Sequence, residues 1–159
     1  MKGYKGSYGG KCHTLTYEVG KTYIFNGKLI KCVHGFHFCE NIDDVLSYYN
    51  ATNLVLFEVD TLDGDLIQDD YKIVTNKLKI VREIPVSEWN SLFVNHKFDN
   101  KGNLIHHKDS IGYELWKKYD DKGNLIHHKD SDGYEMWNEY DENNNLIKYR
   151  KGDVTWSIE

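Results

Sequence analysis

The chain has 159 residues, of which 40% are hydrophobic and 14% aromatic, enough for one globular domain or for a small domain with an appendage. The net charge is −5 and neither half of the chain is basic, which disfavours direct binding to nucleic acid. No apolar run approaches the roughly 18 residues that a membrane-spanning helix needs, and the N-terminus lacks the apolar stretch of a secretory signal. With three cysteines, an odd number, we expect a cytoplasmic protein whose thiols are free or bound to metal.

The first part of the chain, residues 1–86, is predicted to form an α+β domain with a mostly antiparallel sheet and one main helix. Lys2–Tyr8 is predicted to be a short strand. Asn26-Gly27 predicts a β-hairpin, because Asn and Gly adopt the positive φ angles of a tight hairpin turn. Residues 35–39 are predicted to form the next strand.

The main helix is predicted over residues 42–49. Asn41 offers a side-chain oxygen to the first N–H groups, and the apolar residues that follow recur at helical spacing, which marks one buried face. Further strands are predicted at 53–60, 71–75 and 77–84. Pro85 ends this pattern, and residues 87–93 are interpreted as a short helical linker to the second part of the chain.

The second part, residues 94–159, is predicted to be an all-β meander of hairpins because its sequence repeats every 21 residues. Two similar copies, 96–116 and 117–137, are followed by a decayed third copy at 138–159. In each of the first two copies, an Asp-x-x-Gly-Asn turn precedes one strand and a Ser-x-Gly turn precedes the next.

The predicted meander offers aromatic residues on both faces. Alternation with a period of two places Leu115 and Trp116 on opposite faces. The 21-residue copies resemble tyrosine-aspartate (YD) repeats and the related MORN-like repeats through their Tyr-Asp-x-x-Gly-Asn sequence. The resemblance implies a scaffold or binding surface, and the predicted binding residues are Tyr113, Trp116, Tyr134 and Trp137. The open edges of such a sheet also predict homodimerisation by edge pairing.

Cysteine and histidine residues cluster in the first part of the chain and raise the question of a metal site. The candidate zinc ligands are Cys12, Cys32, His37 and Cys39, with His13 and His34 nearby. Their spacing differs from that of zinc fingers, in which cysteines pair as Cys-x-x-Cys, and free cysteine is commonly buried as a small apolar side chain. We therefore expect no metal and keep zinc, or a Cys39 nucleophile with His37 or His13 as base, as alternatives.

Two identical histidine pairs, His106-His107 and His127-His128, also invite a metal interpretation. Neighbouring residues of a strand point to opposite faces, so one pair cannot chelate an ion alone. Same-face histidines would meet only if their two strands lay close together. We interpret the pairs as half-buried or surface histidines.

The order of predicted elements in residues 1–84 resembles that of ADP-ribosyltransferase-like domains. Tyr4-Lys5-Gly6 stands where that family has an aromatic-Arg/His-Gly motif, and Gly35-Phe36-His37-Phe38 stands where it has a Gly-x-Tyr-Phe strand before a helix. The resemblance implies a pocket for a nicotinamide nucleotide, lined by the candidate catalytic residues Lys5, His37 and Glu83. Glu58 and Asp70 are alternative acids, because the chain has no Glu-x-Glu sequence.

Residues 2–84 also resemble a small uncharacterised domain of phage and prophage proteins. The shared segments are Gly3–Gly6, Gly35–Glu40, Tyr48-Tyr49 and Thr75–Val81. This resemblance implies an origin in a mobile element and a location in the cytoplasm of a bacterial host cell.

Two functions follow as hypotheses. The first is a protein-binding module of phage type that engages a host protein such as a defence nuclease, because aromatic side chains are enriched at interfaces. The second is an ADP-ribosyltransferase-like protein, active or degenerate, that binds NAD. The second hypothesis requires Lys5, His37 and an acid to converge on one pocket.

Overall fold

The computed structural model describes residues 1–12, 15–68 and 71–158, and the chain divides into two compact units, Met1–Val94 and Asn95–Glu159. The strands of the first unit are β1 (Lys2–Tyr8), β2 (Lys11–Cys12), β3 (Leu15–Thr16), β4 (Thr22–Ile24), β5 (Phe36–Phe38), β6 (Leu54–Asp60), β7 (Leu66–Gln68), β8 (Ile73–Thr75) and β9 (Lys77–Ile84). A 3-10 helix covers Asp43–Ser47, and the helix α1 covers Val86–Leu92. The strands of the second unit are β10 (His96–Phe98), β11 (Leu104–Lys108), β12 (Glu114–Tyr119), β13 (Leu125–Asp130), β14 (Glu135–Tyr140), β15 (Leu146–Lys151) and β16 (Val154–Ser157).

The first unit contains two antiparallel sheets. Six strands follow the order β3-β2-β1-β6-β9-β4, and three follow the order β5-β8-β7. The two sheets meet at β1, where Tyr4 and Cys39 exchange backbone hydrogen bonds of 2.7 and 2.8 Å. Because Cys39 directly follows β5, this exchange holds the middle of β1 against the end of the smaller sheet.

β6 and β9, two neighbouring strands of the six-stranded sheet, supply much of the core of the first unit. β9 buries Leu78 and Ile80 at alternate positions, as the period of two in a half-buried strand requires. β6 buries the adjacent residues Leu56 and Phe57 and therefore has buried side chains on both of its faces. The buried cluster consists of Tyr17, Phe38, Phe57, Val59, Ile73, Leu78 and Ile80. It therefore draws on both sheets and supplies the apolar burial that holds them together.

Two local predictions for the first unit are wrong. The hairpin at Asn26-Gly27 does not form, because β4 pairs with β9 instead of with the residues that follow the turn. The α-helix predicted over 42–49 is a shorter 3-10 helix that begins after Ile42 and has no side-chain cap from Asn41. One turn with a single buried residue, Val45, offers too little packing to extend a regular helix.

The α-helix of the described chain is α1, at the position predicted to be a helical linker. It belongs to the first compact unit, because Trp89 is 1% exposed and its indole N–H donates a 3.1 Å hydrogen bond to the Ile84 carbonyl oxygen. Phe93, next to the end of the helix, is also buried.

The second unit is one antiparallel meander, in which the seven strands β10 to β16 pair in chain order. Among its described residues, Phe98 is the only buried hydrophobic side chain. Most other side chains of the strands are half-buried or exposed, so both faces of the sheet meet solvent. The coarse prediction of an α+β part followed by an all-β meander is confirmed.

Turns of one geometry recur at the 21-residue period. Asp120 accepts hydrogen bonds from the backbone N–H groups of Lys122 and Asn124 and from the Asn124 side chain, at 2.8 to 3.0 Å. Equivalent bonds form at Asp99 and Asp141. These hydrogen bonds lower the pKa of Asp120, because they stabilise its ionised form.

No helix in the described parts of the chain has both the length and the apolar character needed to cross a membrane.

Candidate functional site

A pocket of about 390 Å³ lies in the first unit, where β1 meets β5 and the 3-10 helix. Two lysines, three cysteines and several aromatic residues line the pocket, and most of the lining surface is apolar. The aromatic residues among them are Tyr4, Tyr17, Phe36, Phe38, Tyr48 and Tyr49. The size falls in the range of about 300–1,000 Å³ that is common for small-molecule sites.

Lys5 provides the innermost charge of the pocket. It lies opposite Phe57 in the pairing of β1 with β6, so its side chain points toward the apolar core and is only 3% exposed. Its ammonium group donates a 2.7 Å hydrogen bond to the backbone oxygen of His37 and lies 5.1 Å from the ring centre of Tyr17. Burial lowers the pKa of Lys5, and the nearby charge of Lys72 lowers it further.

Lys72 is the second cation of the pocket. It lies just before β8, which pairs with β5, and its ammonium group is 4.2 Å from the ring centre of Tyr48. No carboxylate of the described residues lines the pocket. The pocket therefore combines two cationic groups with aromatic walls.

All three cysteines of the chain line this pocket, and each is a free thiol. Burial raises the pKa of Cys39 to about 11, so its thiol stays protonated at neutral pH and is a poor nucleophile. The described residues contain no group of three or more His, Cys, Asp or Glu side chains arranged to hold a metal ion. His13, a candidate ligand and base, lies outside the described residues.

The hydroxyl groups of Tyr17 and Tyr49 stay protonated at neutral pH. Burial raises the pKa of Tyr49 to about 12 and raises the pKa of Tyr17 as well. Both groups interact with the thiol of Cys12. The pocket can therefore offer hydroxyl hydrogens to a bound molecule without adding negative charge.

The candidate catalytic residues are only partly brought together. Lys5 and His37 line the same pocket and are joined by the hydrogen bond described above. Glu83 lies on β9, is exposed and does not line the pocket. The alternative acid Glu58 accepts a 2.8 Å hydrogen bond from Arg82, and Asp70 lies outside the described residues.

In the second unit, Trp116 and Trp137 occupy equivalent places on one face of the sheet. Trp116 stacks on His106, with ring centres 5.5 Å apart, and the ammonium group of Lys129 lies 5.1 Å from the indole centre. Each tryptophan is thus held between a histidine of one neighbouring strand and a cation of the other.

The second copy repeats this arrangement with closer contacts. Trp137 stacks on His127 at 4.9 Å, and the guanidinium carbon of Arg150 lies 3.8 Å from the indole centre. His127 also pairs with Glu135 at 2.8 Å. We name the two rows, His106-Trp116-Lys129 and His127-Trp137-Arg150, the tryptophan face.

Tyr113 and Tyr134 belong to the opposite face. The Tyr113 hydroxyl donates a 3.2 Å hydrogen bond to Asp130, which lies opposite Leu115 in the strand pairing. Tyr134 lies against His128 and under the ammonium group of Lys151. The four predicted binding residues are therefore divided equally between the two faces.

The histidine pairs do not converge. β12 lies between β11 and β13, so His106 and His127 are separated by a whole strand. Each interacts with a tryptophan and a glutamate of its own copy.

Sequence reasoning missed Tyr17 and Lys72 as pocket residues. Neither stands in a recognisable motif. Tyr17 directly follows β3, which pairs with β2, and Lys72 directly precedes β8, which pairs with β5. Tyr48 and Tyr49 were noticeable as a pair, but no pattern in the sequence indicates that they line a pocket with Lys5.

The comparisons with known proteins bear on the first unit. No curated protein matches the chain. A family described as a domain of unknown function, DUF7666, matches residues 1–91, which include every lining residue of the pocket and none of the meander. The match extends over more than half of the chain, and the protein therefore belongs to the DUF7666 family.

Proposed function

We propose that the protein is a binding module of phage or mobile-element type that engages a bacterial host protein through the tryptophan face. The observation that carries this proposal is the placement of two indoles, each between a histidine and a cation, on a sheet with almost no core of its own. Tryptophan and arginine are the residues most enriched among those that dominate binding energy at protein interfaces. The biological role that we propose is inhibition of a host nuclease or another defence protein.

The way in which the indoles are held supports this proposal. A side chain already fixed by stacking and cation–π contacts loses little conformational freedom when a partner covers it. Arg150 over Trp137 and Lys129 over Trp116 provide this fixation on one flank, and the histidines provide it on the other. A repeat sheet of tyrosine-aspartate or MORN-like type would serve as the scaffold that spaces the two rows.

The experiment is affinity capture from bacterial lysates, followed by titration of the purified partner. We expect the double variant Trp116→Ala, Trp137→Ala to bind the partner at least about tenfold more weakly, because each substitution removes a side chain that anchors the interface. The matched control is Trp156→Ala on the opposite face, where Trp156 stacks on Tyr149. We expect this variant to bind as the unchanged protein does.

Circular dichroism of all variants checks that the sheet is retained. Equal affinity of the double variant and the unchanged protein would contradict the proposal, as would a partner that still binds after the meander is removed. Homodimerisation through the edge strands β10 and β16 stays a prediction, for which light scattering is the measurement.

ADP-ribosyltransferase-like use of NAD also stays a prediction, and the meeting of Lys5 with His37 in one pocket favours it. Because no described acid lines this pocket, we expect NAD to bind without release of nicotinamide. Isothermal titration calorimetry measures the binding of NAD, and chromatography of the reaction mixture detects any nicotinamide that is released. Absence of heat at millimolar NAD would contradict this prediction.

A further inference from the structure

The pocket of the first unit contains a buried cation, Lys5, that has no carboxylate partner among the described residues. Lys5 is almost fully withdrawn from solvent, and its polar contacts are one backbone oxygen, from His37, and the face of the Tyr17 ring. None of the described residues pairs a carboxylate with it. Burial of a cation without an opposite charge costs free energy that a packed apolar side chain would not cost.

A second cation increases this cost. Lys72 lines the same pocket and acts electrostatically on Lys5, in the direction that disfavours its charged form. Two ammonium groups that share an enclosed space repel each other. A negatively charged group between them would relieve both the repulsion and the desolvation.

The walls indicate what else the bound molecule contains. Tyr17, Tyr48 and Tyr49 present flat rings to the cavity, and flat rings pack well against another ring. The ring of Tyr49 is fixed by an edge contact with Tyr8 at 5.4 Å. A cavity of about 390 Å³ has room for a benzene-sized ring that carries one charged group.

We propose that this pocket binds a small aromatic anion, whose carboxylate or phosphate group lies between Lys5 and Lys72 and whose ring lies among the tyrosines. This site is separate from the protein-binding surface proposed for the second unit. Lys5 is then a ligand-binding residue, and the free energy lost by its burial is recovered when the ligand is bound.

Calorimetric titration of the full chain with phenyl phosphate tests the proposal. Phenol, which has only the aromatic ring, and inorganic phosphate, which has only the anionic group, are titrated for comparison. We expect phenyl phosphate to bind more tightly than either part, and Lys5→Met to weaken its binding at least about tenfold, because a charge-assisted hydrogen bond is lost. Lys28→Met, a change of an exposed lysine outside the pocket, is the control and is expected to bind as the unchanged protein does.

A stability measurement separates this role from a structural one. Lys5→Met is expected to unfold at the same or a higher temperature at pH 7, because it removes a buried charge but keeps the length of the side chain. A lysine needed only for folding would give a lower unfolding temperature instead. If Lys5→Met does not fold, Lys72→Met replaces it in the test, because Lys72 is only half-buried. We expect Lys72→Met to weaken the binding of phenyl phosphate as well.

The stability difference between Lys5→Met and the unchanged protein is expected to depend on pH. The pKa of Lys5 in the folded protein is below its ordinary value of 10.5. The destabilisation caused by burying the charged side chain is therefore fully present at pH values where Lys5 is protonated in both the folded and the unfolded protein. As the pH rises through the lowered pKa toward 10.5, the folded protein loses its proton first, and the advantage of the variant decreases. The other titratable groups of the pocket are present in both proteins and are expected to cancel largely: Tyr4, Cys12, Tyr17, Cys32, His37, Cys39, Tyr48, Tyr49 and Lys72.

Three results would overturn the proposal. The first is no binding of phenyl phosphate at millimolar concentration by the folded protein. The second is equal affinity for phenyl phosphate and inorganic phosphate, which would exclude the aromatic part. The third is unchanged binding by Lys5→Met and Lys72→Met, which would exclude the anionic part.

Discussion

Trp89→Ala is expected to lower the free energy of unfolding of the first unit by about 3–5 kcal/mol, the usual cost of truncating a buried tryptophan. Trp89 is 1% exposed, and its N–H donates to the carbonyl oxygen of Ile84 at the end of β9. The substitution creates a cavity and leaves that oxygen without this donor. Urea unfolding followed by far-ultraviolet circular dichroism is the measurement.

Two further variants make this result specific. Trp89→Phe keeps most of the ring and loses the hydrogen bond, so we expect a smaller loss of stability. Val94→Ala, at a position that is 79% exposed, is expected to change little. If Trp89→Ala cost less than about 1 kcal/mol, α1 would be a connecting segment rather than part of the first unit.

The strands of the first unit were predictable where alternation and burial agree. β6 and β9 lie within one residue of their predicted bounds. The apolar residues of β9 alternate toward the core, and those of β6 form an apolar run that is buried on both faces. The hairpin at Asn26-Gly27 was not predictable in the same way. Turn residues permit a reversal of the chain, but β9 offers β4 a better-packed neighbour, and this pairing is invisible in the local sequence.

The 3-10 helix illustrates a second limit. The spacing of Ile42, Val45 and Tyr49 fits a helical face, and Ile42 and Val45 are indeed buried. The chain uses this face for a single turn, after which Tyr48 and Tyr49 line the pocket. A periodic pattern predicts which side chains are buried more reliably than it predicts the type of helix that buries them.

The candidate site was predictable only for residues that stand in motifs. Lys5 and His37 were identified from the segments around them, whereas Lys72 comes to the pocket through the pairing of β8 with β5, two distant parts of the chain. Tyr17 follows the short strands β2 and β3, which no pattern in the sequence indicated. The second unit was more predictable, since its repeated turn residues form repeated hydrogen bonds and neighbouring strands pair in order. The alternation that separates Trp116 from Leu115 was also correct, because the rows of the tryptophan face follow the strand register.

The other prediction with a large expected effect concerns the two glycines that flank Lys5. A Cβ atom on Gly3 would lie 2.5 Å from the backbone oxygen of Cys39 and 2.6 Å from the Phe38 ring. That oxygen accepts the hydrogen bond of the Tyr4 N–H and cannot move without breaking the junction of the two sheets. Gly3→Ala is therefore expected to lower the free energy of unfolding by about 1–3 kcal/mol, the usual cost of overpacking.

A Cβ atom on Gly6 would contact side chains of the pocket wall rather than the backbone. This Cβ would lie 2.7 Å from the Tyr49 ring and 2.8 Å from a Val45 methyl group, which are side chains and can shift. We expect a smaller loss of stability for Gly6→Ala than for Gly3→Ala, but weaker binding of phenyl phosphate, because Tyr49 must move within the pocket wall.

Ser7→Ala on the same strand is the matched control for both glycine variants. Its buried hydroxyl oxygen has no hydrogen-bond partner among the described residues, so its removal is expected to be neutral or stabilising. If Gly3→Ala were as stable as Ser7→Ala, the close approach of β1 to Cys39 would not be required for folding. Unchanged binding of phenyl phosphate by Gly6→Ala would show separately that Gly6 has no role in positioning Tyr49.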